Sequence, residues 1–195
     1  MSTDPTACRE CPTPEDARVS LSGHVAGKGA DLRRKYGARI GWPQLQLILA
    51  DRDFVRYPCE IAFDAGPLQP DECAYPEPLG DLPEDGFRLC VHPYFAVEPD
   101  RVPLLALYQL VAVNYGAFAS PADAEVFGAA ALGMAREQYY NSLCAMADEI
   151  AADDAVAESR GCGCEDAPAE GLGKTCARLP KECSVNPETF RHDDR

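Results

Sequence analysis

The chain has 195 residues, with 18 Lys+Arg against 32 Asp+Glu and a net charge of −14. That length favours one domain with tails over two, and 46% apolar residues is too many for a wholly disordered chain. No run approaches the ~18 apolar residues of a membrane span. The acidic balance argues against broad nucleic-acid binding, because phosphate contacts need clustered Lys and Arg.

The opening stretch, MSTDPTACRECPTPEDARVS, has no basic start and no apolar h-region. The expectation is therefore a reducing cytoplasm, where structural disulfides are rare and ten cysteines need another account. Residues 1–27 lack a sustained period and carry Pro5, Pro12 and Pro14, so they read as an arm. Residues 28–39 read as a short basic helix broken by Gly37. A new helix is expected from Trp42-Pro43 to about Asp51, with Leu45, Leu47, Ile48 and Leu49 as its apolar residues.

Cys59, Ile61 and Phe63 alternate with Glu60 and Ala62, which is a half-buried strand pattern. Residues 64–86 hold five prolines and seven acids and read as a long irregular loop. Phe87 to Val91 alternates again and predicts a second strand. Asp100 is placed to cap the next helix, VPLLALYQLVAVNYG, which is apolar on nearly every side and belongs at a domain centre. Ser120-Pro-Ala-Asp123 is a capping-box helix start, and Gly133 is the expected stop. In the last helix, Tyr139, Leu143, Met146 and Ile150 fall on one face. The fold class is α+β: a small, mostly helical core over 28–157 with a short antiparallel sheet and one buried apolar helix. Irregular cysteine-bearing arms lie at 1–27 and 158–195.

The cysteines divide into two populations. Cys59, Cys73, Cys90 and Cys144 fall in the core, where a small buried hydrophobe is the ordinary reading. Cys8-Arg-Glu-Cys11 and Cys162-Gly-Cys164 are close pairs in the arms, followed by Cys176 and Cys183. Thiolates two or three residues apart bind one ion without costly loop closure, and four suit zinc or an iron–sulfur cluster. His24 and His192 are further candidate ligands. A thioredoxin-like use of Cys8 and Cys11 lacks the strand that should precede it.

Other chemistries lack their signatures. Gly23 to Gly29 is one residue short of a phosphate loop and has glycine where Ser or Thr should hold magnesium, so a turn is expected and no nucleotide. There is no Gly-x-Ser-x-Gly, and His92 before Pro93 reads as a structural hydrogen-bonding residue. The paired carboxylates Asp148-Glu149 and Asp153-Asp154 read as solvated surface. The run from Lys28 to Arg39, with Arg33, Arg34 and Lys35, is the candidate partner-binding segment, for an acidic protein partner, a nucleic-acid backbone, or the acidic middle of this chain or of a second copy.

Tyr108-Gln109-Leu110-Val111-Ala112, a short turn and then Asp123 to Met134 resemble the helix order of small zinc peptidases. That family carries His-Glu-x-x-His on the first helix and an acidic ligand on the second. Here the first motif reads YQLVA, and Glu125 is the one match for the later acid. The resemblance implies a kept fold with hydrolysis lost, since no zinc-bound water could form. Two functions are therefore expected. One is a metal-binding accessory protein with terminal cysteines as ligands and a non-catalytic core. The other is a degenerate peptidase-like interaction module with disordered arms. An enzyme pocket near His92 and Tyr94 is a third reading with no motif behind it.

Overall fold

The computed structural model describes residues 13–161. Helix α1 spans Pro14–Tyr36. Thr13 Oγ1 accepts from the Asp16 N–H at 3.1 Å while Asp16 Oδ2 accepts from the Thr13 N–H at 2.8 Å, a closed capping box. Proline at the first position and Arg33, Arg34 and Lys35 in the last turn suit the two ends of the helix dipole. Gly37 ends α1 at φ +91°, a conformation that favours glycine.

Residues 14–27, expected to belong to an arm, are thus the first half of a 23-residue helix. Leu21, Val25 and Leu32 are buried along one stripe. Gly29 completes the stripe, and its missing side chain lets α1 approach the next layer closely. A Cβ there would lie 2.6 Å from the Phe127 carbonyl oxygen. The glycines of the expected turn therefore sit inside a helix, and Gly29 is where backbone meets backbone.

Helix α2, Trp42–Leu49, buries Leu45, Ile48 and Leu49. The sheet has three strands: β1 Cys59–Phe63, β2 Ala74–Pro78 and β3 Phe87–Val91. Their order is β1-β3-β2, with β1 parallel to β3 and β2 antiparallel to it. The sheet is mixed, not antiparallel as expected, because the chain between β1 and β3 lays β2 on the far side of β3. Part of the expected 64–86 loop is therefore a strand. Pro76 and Pro78 lack an N–H, and an edge strand tolerates them because one flank needs no ladder.

Helix α3 spans Val102–Tyr115, and Val102, Leu105, Ala106, Leu107, Leu110, Val111 and Val113 are buried around it. It packs on β2, β3 and two further helices, α4 Pro121–Leu132 and α5 Arg136–Gly161. Asp100 does not cap α3. Its Oδ1 accepts from the Trp42 N–H at 2.8 Å and so serves the start of α2. Ser120 and Asp123 close the capping box of α4 as expected, and Gly133 ends it at φ +68°.

α4 is a helix of small residues with neighbours on both sides. Gly29 and Arg33 of α1 lie against it, the Arg33 guanidinium resting over Gly133. Tyr139 of α5 is fully buried, with its ring over Gly128 and its hydroxyl donating to the Leu104 carbonyl of α3 at 2.5 Å. A methyl group at residue 128 would overlap the Tyr139 ring, which has no room to swing away. Gly128→Ala is expected to lower stability by about 1–3 kcal/mol despite the better helix propensity of alanine, as overpacking does. Urea unfolding checks this, and an unchanged midpoint would contradict the packing.

Candidate functional site

The expected ligands Cys8, Cys11, Cys162, Cys164, Cys176, Cys183 and His192 lie outside the described residues. Among the described residues, no group of three or more His, Cys, Asp or Glu side chains could hold a metal ion. Two of the four described thiols, Cys59 and Cys90, belong to a different environment. Burial pushes the Cys59 thiol up to about 11, with Glu60 adding to the rise. Burial likewise raises Cys90 to about 11, helped by Glu77, whose Oε2 lies 3.7 Å from its Sγ. Both are protonated at neutral pH and are poor nucleophiles and ligands.

The three basic residues singled out for partner binding face different ways. Arg33 lies over the end of α4. Arg34 pairs with Asp31 at 2.8 Å. Lys35 donates to Asp51 at 2.6 Å, where Tyr36 also donates at 2.7 Å. Burial pushes Asp51 up, but the hydrogen bonds from Lys35, Tyr36 and the Asp53 backbone outweigh it and hold the carboxyl below its ordinary value. The basic run is thereby partly folded onto this chain's own acids.

The residues carrying the peptidase resemblance have structural work. Gln109 Nε2 donates to the Ala74 carbonyl at 2.6 Å and ties α3 to the start of β2. Glu125 accepts from Arg136 Nε at 2.6 Å, with its side chain 13% exposed. His92 Nδ1 accepts from the Tyr94 N–H at 3.3 Å and caps the short 3-10 turn after β3. Tyr94 in turn donates to Glu149 at 3.3 Å.

Arg101 grips Glu149 with two N–H groups at 2.8 and 2.9 Å, a bidentate pair joining the start of α3 to α5. The Arg101 hydrogen bonds hold the Glu149 carboxyl below its ordinary 4.5, with Tyr94 contributing.

A cavity of about 220 Å³ lies between α1 and the α2–β1 connection. His24 and Lys28 reach it from α1, one turn apart. Arg52 and Arg56 reach it from the connection between α2 and β1, and Tyr115 and Phe127 bound it from α3 and α4. Asn114 fixes that connection, since its Nδ2 donates to the Phe54 carbonyl at 2.7 Å and its Oδ1 accepts from the Arg56 N–H at 2.8 Å. His24 meets the Tyr115 ring edge-on at 6.0 Å. Of these residues the sequence analysis names His24 as a candidate ligand and Lys28 as the start of the candidate partner-binding run. Arg52 and Arg56 were missed. The signal was Arg-Asp-Phe-Val-Arg, two bases close together in an otherwise acidic middle.

No protein-family model, curated protein or solved structure matches the chain. No helix among the described residues is long and apolar enough to cross a membrane.

The Glu149 pair carries a pH dependence of known sign. A carboxyl whose folded-state value is lowered contributes stability that is present above about 4.5 and is lost as pH falls through the folded value. The stability of Glu149→Gln, measured by urea denaturation across that acid range, is expected to fall less steeply with decreasing pH than that of the parent protein. Parallel curves would show that the pair does not report on folding.

Proposed function

We propose that the folded body is a non-catalytic carrier for a soft metal site, zinc or an iron–sulfur cluster, held by the terminal cysteines. The observation that carries this reading is the division of the thiols. Burial withholds Cys59 and Cys90 from reaction, with values near 11. In the sequence, the close pairs Cys8/Cys11 and Cys162/Cys164 come just before Thr13 and just after Gly161. Short spacing lowers the entropy cost of gathering two ligands, and four thiolates satisfy either metal.

Cys176 and Cys183, or the N-terminal pair, complete the set with Cys162 and Cys164, and His192 is the nitrogen alternative. The reading requires a reducing compartment, because disulfide formation would consume the ligands. Ordering of the terminal segments and binding of the ion would then be one event.

The helix order of α3 and α4 supports a second reading, a degenerate peptidase-like body that binds another protein. Gln109 and Glu125 are there engaged by Ala74 and Arg136.

Elemental analysis of anaerobically purified full-length protein separates the two. Near-stoichiometric metal is expected, colourless for zinc and brown for a cluster, and the Cys162→Ser/Cys164→Ser double variant is expected to lose it. Metal-free wild-type protein would overturn the first reading and leave the second.

A further inference from the structure

The cavity between α1 and the α2–β1 connection has a charge that the rest of the body does not. Residues 13–161 carry twelve bases and twenty-three acids, a net of −11. Yet Lys28, Arg52 and Arg56 all line this one recess. None of the three forms an ion pair among the described residues; the bridges join other side chains. Asp53 is the one acid of the lining, and its carboxylate lies 3.5 Å from Lys35 with the side chain 77% exposed.

Two of these cations, Lys28 and Arg56, have partners of their own within the body. Lys28 Nζ donates to the Asp53 carbonyl at 3.0 Å and lies 5.7 Å from the centre of the Phe54 ring. The Arg56 guanidinium sits 5.6 Å from the Tyr57 ring centre. The Arg56 backbone is pinned by Asn114. A ligand entering here does not have to order Lys28 or Arg56, which removes part of the usual cost of association. The rest of the wall is aromatic: Phe54 and Phe127 are nearly fully buried and Tyr115 is half-buried.

We propose that this cavity binds a small organic phosphate, with its phosphate on Lys28, Arg52 and Arg56 and its apolar part against Phe54, Tyr115 and Phe127. Three cations on one recess match a dianion better than a monoanion, and guanidinium groups suit phosphate oxygens. A volume of about 220 Å³ lies below the ~300–1,000 Å³ of drug-sized pockets, so the ligand is small. The expected turn at Gly23 to Gly29 contributes by a route unlike a phosphate loop. As a helix face, it aims His24 and Lys28 into the recess. The site is independent of the terminal thiols.

Calorimetric titration of the full chain tests this, with phenyl phosphate as probe beside inorganic phosphate and benzoate. Phenyl phosphate is expected to bind with a dissociation constant on the order of 1 mM or below, and at least about tenfold more tightly than either fragment probe. Arg52→Gln/Arg56→Gln is expected to weaken it about tenfold or more. Arg18→Gln/Arg39→Gln removes the same charge from exposed positions outside the cavity and is expected to leave affinity within about twofold. Circular dichroism confirms that both double variants are folded. Absence of phenyl phosphate binding, equal affinity for inorganic phosphate, or equal loss in the two double variants would overturn the proposal. The last outcome would show attraction to overall charge alone.

Discussion

The body depends on one contact, the Tyr139 ring lying on Gly128. Because α4 presents no side chain there, α5 comes close enough for the Tyr139 hydroxyl to reach the Leu104 carbonyl within α3. One fully buried side chain thus locks three helices, and its polar atom is satisfied on the way. On its other side α4 receives Gly29 of α1 at backbone distance. A bulkier α4 would push α1 outward, and His24 and Lys28 ride on α1. The small residues of α4 therefore set the width of the basic cavity as well as the packing of the core.

The legibility of this fold follows the range of the forces. Helices α3, α4 and α5 are visible in the sequence because their signals are local: an apolar run, Ser120 with Asp123, Gly133, and the Tyr139–Ile150 face. Strands β1 and β3 show their alternation in the same way. The first half of α1 was missed because its buried stripe is thin and has a glycine where a larger apolar residue would mark it. β2 was missed because Pro76 and Pro78 contradict strand propensity, and its pairing with β3 overrides them. The parallel pairing of β1 with β3 and the Asp100–Trp42 hydrogen bond join residues far apart in the chain. No local pattern encodes either.

Function divides along the same line. Thiol spacing is a local property, so the sequence displays the terminal cysteine sets directly. The cavity is assembled from α1, the α2–β1 connection, α3 and α4, and no single segment of it forms a motif. Two kinds of binding are therefore proposed for separate regions, a soft ion at the ends and a phosphate against the body. Cys59 and Cys90 are kept out of the first by desolvation, since a thiolate at either would be a charge in an apolar environment facing nearby carboxylates.

The division of the thiols is tested most directly by alkylation of the native, freshly purified protein at neutral pH, with the modified residues located by mass spectrometry before and after chelation. Cys59 and Cys90 are expected to resist until the protein is unfolded. Cys162 and Cys164, together with either Cys8 and Cys11 or Cys176 and Cys183, are expected to resist at first and to react once the chelator is added. Immediate reaction of Cys162 and Cys164 in untreated protein, or modification of Cys59 and Cys90 at comparable rates, would contradict the account.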